Sequence, residues 1–212
     1  TLYLIPNTLG IYGTEGAQDT LRDVLAPQVL SVAAACEYFV VETPKVARQF
    51  LKAVGTQTPL QQLHVNELNV KTSDVEVKLL LQPLLEGHNV GLLSDAGCPA
   101  VADPGARLVE MAHQAGIRVV PLVGPSSILL ALMGSGLNGQ KFAFHGYLPI
   151  DAAQKNKEIK RLEQESKSHQ QTQLFIETPY RNMQLYETLL KTLNAQTKLS
   201  VAADLTLPSE AI

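Results

Sequence analysis

The chain has no surplus of basic residues: 17 Lys and Arg stand against 20 Asp and Glu, giving a formal net charge of −3 and a pI near 5.9. A free-standing nucleic-acid binder carries a clear basic excess, so this balance argues against one and leaves room only for a local basic patch. Cysteine is scarce as well. Cys36 and Cys98 are the only two, and with no signal peptide they read as reduced thiols of a cytoplasmic protein, not as a disulfide framework. The five histidines are scattered singly, without the paired His/Cys spacing that zinc needs, so no metal site is expected. The longest apolar runs fall far short of a bilayer span, so the protein is expected to be soluble and without a membrane partner.

What is present is core-forming sequence. With 212 residues and 45% hydrophobic content, the chain can bury one substantial core or two smaller ones, and nothing in it suggests disorder. The most informative stretch is Gly91 to Gly105. Val90 to Leu93 has the character of a strand buried on both faces. Asp95-Ala96-Gly97 follows as a turn with almost no side-chain bulk, whose backbone can touch a ligand directly. Asp103 is expected to cap a new helix, with Pro104 at its first position and Arg107, Leu108, Met111 and Ala112 along it. Strand, bare loop and helix in that order are how open α/β sheets bind ligands at their carboxyl ends; an ordinary βα connection has the same spacing.

Leu2 to Ile5 is a short buried strand, stopped by Pro6 and followed by a flexible loop of Asn7, Thr8, Gly10 and Gly13. Helices are expected from Asp19 to Leu25 and from Val29 to Ala35, separated by Pro27. Tyr38 to Val41 is the next strand. It ends in Glu42-Thr43-Pro44, and Val46, Phe50, Leu51 and Val54 repeat at helical spacing until Gly55. Leu63, Val65 and Leu68 alternate as an edge strand. Ser73 or Asp74 caps a helix running to Leu85, bent by Pro83 and ended by Gly87. Ile117 to Val120 is a strand leading into a Gly124-Pro125-Ser126-Ser127 loop, and Ile128 to Met133 start a buried helix. The N–H groups and hydroxyls at Ser126 and Ser127 suit an acceptor-rich ligand, although plain capping uses the same residues.

Phe142 to Pro149 reads as another strand followed by a stop. Residues 151 to 171 then turn strongly polar, with Ile159 and Leu162 as the only large apolar side chains, so a solvated helix follows a linker. The domain boundary is placed there: residues 1–149 form an amino-terminal α/β domain and 150–212 a carboxyl-terminal one. The second repeats the alternation with a strand from Gln173 to Ile176, a turn at Glu177-Thr178-Pro179, a helix from Tyr180 to Leu193 and a strand from Lys198 to Ala203. Asp204 to Ile212 begin a segment with no closing element, so the chain is read as lacking its natural end.

Laid out this way, the chain resembles the tetrapyrrole methylase superfamily of S-adenosylmethionine-dependent methyltransferases, nearest its ribosomal RNA small subunit methyltransferase I branch. The similarity runs through Gly91-Leu92-Leu93-Ser94-Asp95-Ala96-Gly97, Pro99, Asp103-Pro104-Gly105, Ala115 to Pro121, Gly124-Pro125, Gly136-Leu137 and Phe144 to Pro149. Weaker echoes are Glu177-Thr178-Pro179-Tyr180-Arg181 and Ala202 to Thr206. The resemblance implies two α/β domains with the cofactor S-adenosylmethionine in the cleft between them, and a homodimer. By position it implies Asp95, Ala96 and Gly97 as the first cofactor loop and Ser126 and Ser127 as the second. Tyr147, Leu148, Glu177, Thr178 and Ala203 complete the cofactor set, while Pro6, Asn7 and Arg181 are the acceptor-side candidates. Four departures stand out. The first loop here is Ile5-Pro6-Asn7-Thr8-Leu9-Gly10 where that branch has Pro-Thr-Pro-Ile-Gly-Asn. Glu42-Thr43-Pro44-Lys45 stands in place of Glu-Asp-Thr-Arg, Cys98 replaces a usual Thr, and Tyr180 stands where a His is common.

A hydroxyl acceptor must lose its proton during or after methyl transfer, so a carboxylate near the site is useful, and Glu42 and Asp95 are the catalytic candidates. A surface carboxylate before a helix and a loop-stabilising aspartate are the competing readings. Arg181 either binds an acceptor phosphate or forms an ordinary salt bridge. His145 is expected to pack within its strand and Cys98 to be a small buried thiol. The leading acceptor is a ribose 2′-hydroxyl of small-subunit ribosomal RNA. The alternatives are a tetrapyrrole or other small molecule, and a cofactor-binding module without catalysis.

Overall fold

The structure is a computed structural model that describes residues 1–10 and 17–212; Gly13 of the expected first loop lies outside the described residues. Contacts divide the chain into two compact units, Thr1–Ser126 with Thr206–Pro208, and Ser127–Leu205 with Ser209–Ile212.

The first unit is built on a five-stranded sheet, ordered β3-β2-β4-β1-β5, from β1 (Leu2–Ile5), β2 (Tyr38–Val41), β3 (His64–Glu67), β4 (Val90–Leu93) and β5 (Val119–Pro121). Every pairing is parallel, with Ile5 and Val41 both in register with Leu93. The helices are α1 (Ala17–Val24), α2 (Pro27–Ala35), α3 (Pro44–Val54), α4 (Asp74–Leu80), α5 (Gln82–Leu85) and α6 (Ala106–Gln114). Alternation along the strands splits the core in two. Ile5, Phe39, Val41 and Leu93 pack with Leu21, Val29, Phe50 and Leu51 of α1 to α3 and with Leu25 between the first two helices. Leu2, Val40, Val90 and Leu92 face the other way, onto Val77, Leu84, Leu108 and Ala112. The connections from β1 to β3 step one way along the sheet and those from β3 to β5 step back, so crossovers of one handedness cover opposite faces. This two-sided burial is why β4 reads as an unbroken apolar run.

Four local expectations are corrected. The helix after Ser73 begins with a capping box, Ser73 and Glu76 exchanging bonds between side chains and backbone, but it divides at Leu81 into α4 and α5. Pro83 has no N–H to donate to the carbonyl of Leu79, and its ring crowds that carbonyl. Asp103 does not cap α6. Its Oδ1 instead accepts the N–H groups of Ala100 and Gly105 at 2.9 and 2.8 Å, tightening the loop so that the helix begins only at Ala106, with Gly105 as its N-cap. Strand β5 starts at Val119, not Ile117, because the Ile117 N–H is held by the Ala112 carbonyl at the end of α6. The first loop is not a loose one over its described part: Asn7 and Thr8 are buried.

The second unit contains α7 (Ser127–Ser135), β6 (Phe142–Tyr147), α8 (Ala152–His169), β7 (Thr172–Ile176) and α9 (Asn182–Thr192). Strands β6 and β7 pair in parallel as a separate sheet. Because β6 takes its hydrogen bonds from β7, it belongs with the residues after it, and the unit boundary falls at Ser126/Ser127 while the composition changes only at Pro149. The core is Leu148, Ile159, Leu162, Leu185 and Leu189. Helix α7 is not the buried helix expected. Only Leu132 is buried, and Met133 is 77% exposed, because a segment apolar on every side specifies no single inward face. Residues 198–203 are not a strand either. Leu199 turns onto the core while Val201 lies exposed, so the one-sided burial that fixes a strand's register is missing; the chain makes only an isolated bridge between Ala203 and Ala211.

Gly91 occupies the middle of central strand β4, where a Cβ would stand 2.7 Å from Cδ1 of Ile5 and 2.9 Å from the Phe39 ring. Gly91→Ala is therefore expected to lower stability by about 1–3 kcal/mol as the packed neighbours shift. The guanidinium-induced unfolding midpoint, falling at unchanged m-value, is the measurement.

Candidate cofactor site at the strand ends

In the first unit the loops following β1, β2, β4 and β5 leave the same edge of the sheet, because the strands are parallel. They are held there by side chains acting on backbone. The Asp95 carboxylate accepts the Thr43 N–H on Oδ1 at 3.0 Å and the Thr43 hydroxyl on Oδ2 at 2.7 Å. Glu42 returns the interaction: its Oε2 accepts the Asp95 N–H at 3.2 Å. Below them the Glu42 N–H still reaches the Leu93 carbonyl at 3.2 Å. The β2 and β4 ends are therefore stitched together beyond the last rung of the ladder.

The β1 loop is fixed to the same segment. Nδ2 of Asn7 donates to the carbonyls of Ser94 and Asp95 at 3.2 and 3.0 Å, and the Asn7 N–H donates to the Gly97 carbonyl at 2.9 Å. Pro6 beside it is buried. On the far side, the Cys98 thiol approaches the Pro125 carbonyl at 3.3 Å, which ties in the β5 loop. Gly97 is the pivot. Its φ of +68° is the left-handed region that glycine occupies freely, and a Cβ would meet Leu9 Cδ2 at 3.2 Å and the Pro125 carbonyl at 3.3 Å. Ala96 is exposed between the half-buried Asp95 and the buried Gly97. Ala100 and Ala102 also adopt positive φ, 66° and 58°, a strained arrangement for residues with a Cβ and one that functional loops commonly retain.

The electrostatics are one-sided. Burial pushes the Glu42 carboxyl above its usual range; the Asp95 amide pulls it back, and the charges of Asp95 and Asp103 raise it again. Asp103 is likewise raised, first by burial and then by Asp95, against the two amides it accepts. Among the described residues none of these three carboxylates has a Lys, Arg or His within ion-pair distance, and no group of three metal-binding side chains is assembled. What the arrangement offers is a concentrated negative charge beside an exposed small-residue turn, which suits a cationic organic ligand.

The remaining sequence-derived residues lie as follows. Ser126 closes the first unit and Ser127 is the first residue of α7. In the second unit Tyr147 ends β6 and is 53% exposed, whereas the Leu148 side chain is committed to the core. Glu177 accepts the Arg181 guanidinium at 2.7 Å and the Thr178 N–H at 2.7 Å. Burial alone would raise the Glu177 carboxyl, but these two partners hold it below its usual value. Arg181 also stands 6.0 Å from the Tyr147 ring centre. Ala203 is exposed beside its isolated bridge. His145 bonds across the sheet to Gln173 at 2.6 Å. Thr43 was not legible as a site residue. A hydroxyl before Pro44 reads as a helix cap, yet it makes no capping bond and turns to Asp95 instead.

A family model described as tetrapyrrole (corrin/porphyrin) methylases matches residues 20–212. The chain belongs to the tetrapyrrole methylases. Among curated relatives it is 32% identical over its full length to a ribosomal RNA small subunit methyltransferase I of Vibrio cholerae serotype O1, covering 67% of that protein. It is 31% identical to its namesake in Escherichia coli O157:H7, again covering 67%. A solved structure of the methyltransferase CobJ superposes with a TM-score of 0.57 at 20% identity, covering 89% of this chain and 79% of the other, which shows a shared tetrapyrrole-methylase fold. The expected α/β fold and methyltransferase family both hold.

The raised Glu42 carboxyl makes a prediction of sign. The folded protein keeps this proton to a higher pH than the unfolded chain does, so the group's contribution is most favourable below the ordinary glutamate range. It declines as pH rises through that range to the raised folded value. In Glu42→Gln that decline is absent, so the variant's melting temperature should gain on wild type as pH rises through the carboxylate range. A gap that stays constant with pH excludes it.

Proposed function

We propose that this tetrapyrrole methylase is an S-adenosylmethionine-dependent methyltransferase whose acceptor is a ribose 2′-hydroxyl of small-subunit ribosomal RNA. The reading is carried by the bracket of Glu42, Thr43 and Asp95 at the ends of adjacent parallel strands, in a chain whose full-length relatives are named ribosomal RNA methyltransferases. The cofactor, when bound, supplies an electrophilic methyl group on a sulfonium. Three carboxylates without cationic partners among the described residues suit its positive charges, and the turn Asp95-Ala96-Gly97, open at Ala96, is proposed to present backbone groups to it. From the resemblance, Ser126, Ser127, Tyr147, Glu177, Thr178, the Leu148 backbone and Ala203 are proposed to complete cofactor binding, with Arg181 on the acceptor side. Asn7 and Pro6 act by fixing the loop rather than by touching the acceptor.

The two catalytic candidates now divide. Both oxygens of Asp95 are occupied by Thr43, so Asp95 positions the loop. Among the described residues Glu42 accepts only through Oε2, and its elevated proton affinity makes it the better acceptor for a hydroxyl proton. The assembly proposed is a cytoplasmic homodimer, supported by the exposed apolar residues Leu129 and Met133 of α7.

The test is incubation with methyl-labelled S-adenosylmethionine and undermethylated small ribosomal subunits. Label is expected in the RNA, and Glu42→Gln is expected to lose about 10²–10⁴-fold in kcat, the usual range for a general base. Absence of cofactor binding in a titration sinks the enzyme reading, and label passing to a tetrapyrrole but not to RNA overturns the acceptor.

A further inference from the structure

Lys155 is the one charged residue among the described residues that is buried as a whole, at 4% exposure. It lies in the first turn of α8, on the face that also carries Ile159 and Leu162 into the core. Lysine stems are often covered in this way while the ammonium reaches water or a carboxylate. Here the carboxylates on the same helix are already taken. Asp151 caps the helix through the Gln154 N–H. Glu158 and Glu165 both bind Arg161. Glu163 accepts from the Asn194 N–H and the Thr197 hydroxyl. Among the described residues Lys155 has no ion pair or side-chain hydrogen bond, and no fully buried polar atom lacks a partner, so the ammonium keeps a narrow contact with solvent at the end of a covered stem.

Where it emerges follows from the topology. Helix α8 connects the carboxyl end of β6 to the amino end of the parallel strand β7, so its first turn lies at the carboxyl end of this sheet. Helical side chains tilt toward the helix amino terminus, which carries the ammonium further that way. The same end holds Tyr147, 53% exposed, and Tyr180, 98% exposed, together with Arg181, whose charge is answered by Glu177. A cation without a counter-charge among the described residues, at the same sheet end as one open tyrosine ring and a second that Arg181 covers on one side, has the composition of a single-stranded nucleic-acid contact: phosphate on the ammonium and a base on the open ring.

We infer that Lys155 is an acceptor-binding residue that takes a phosphodiester of the RNA substrate at the carboxyl end of the β6–β7 sheet. The inference rests on the RNA reading of the site and adds a residue to it. Arg181, at the same sheet end, is paired with Glu177 and lies against Tyr147, while Lys155 supplies the uncancelled charge.

The experiment compares wild type with Lys155→Met, which keeps the apolar stem, and Lys155→Arg, which keeps the charge. Binding of a short fluorescent single-stranded RNA is followed across a salt series, alongside methylation kinetics on undermethylated small subunits and cofactor titration. Lys155→Met is expected to weaken RNA binding roughly tenfold, the scale of one charge-assisted contact. It should also flatten the slope of log affinity against log salt by about 0.7, one phosphate's share for a single strand. The loss falls in KM for the RNA, cofactor affinity holds, and Lys155→Arg restores both readouts. RNA affinity and salt slope equal to wild type, with only the melting temperature changed, overturn the inference and leave Lys155 a covered core stem. A loss confined to cofactor affinity overturns it in favour of the cofactor's carboxylate as the anion. Wild-type protein that neither binds nor methylates RNA removes the RNA reading itself, which separates that failure from a failure of Lys155.

Discussion

The first unit depends on one exchange: the Asp95 carboxylate takes the Thr43 N–H and hydroxyl, while the Glu42 carboxylate takes the Asp95 N–H. Parallel strands diverge into their crossovers at their carboxyl ends, where backbone amides lose their ladder partners and need new acceptors. Two neighbouring loops satisfying each other solve that for both at once. The constraint then propagates. With Ser94 and Asp95 fixed, Asn7 can clasp their carbonyls, Gly97 must turn left-handed, and Cys98 is delivered to the Pro125 carbonyl. Replacing any one of these groups exposes amides or carbonyls that the others cannot reach.

The arrangement gathers negative charge that the unit does not neutralise. Glu42 and Asp103 both bind protons more tightly than free carboxyls do, because burial and mutual repulsion disfavour their ionised forms. A fold selected for stability alone would place an arginine among them. The second unit does so at its own strand end, where Glu177 and Arg181 neutralise each other. Taken each by itself, the two strand ends differ in charge: the first carries carboxylates with no cationic partner among the described residues, and the second carries a neutralised Glu177–Arg181 pair.

Much of this was legible because two-sided burial and punctuation are local signals. The apolar runs at Leu2, Tyr38 and Val90 gave strands, and Gly55 and Ser73 marked helix ends correctly, while Pro27, expected to separate two helices, opens the second of them. Signals that depend on a competing partner were not legible. Asp103 has the residue type and the following proline of a helix cap, but its oxygen was claimed by Ala100 and Gly105. Residues 198–203 have strand composition, yet strands exist only where a neighbour supplies the ladder. The apolar helix α7 has no polar face to say which side is outward. At the candidate site, the loops were singled out by their lack of bulk and by the resemblance, while the bonds from Thr43 to Asp95 were hidden behind the plausibility of Thr43 as a cap.

That hidden residue also explains why departure from the ribosomal RNA branch at this strand end need not disable the chemistry. The branch has a second carboxylate where Thr43 stands. A carboxylate there could not donate a hydrogen bond to an ionised Asp95 and would repel it, so each acid would have to find its donors elsewhere. Thr43 supplies both a hydroxyl and an amide to the same partner, converting Asp95 into a fixed part of the scaffold. Its charge remains, however, and with Asp103 it continues to raise the proton affinity of Glu42. On the proposed reading the substitution moves the burden of proton acceptance onto one residue: Asp95 provides field and geometry, and Glu42, whose second oxygen accepts no hydrogen bond among the described residues, is the group proposed to take the proton.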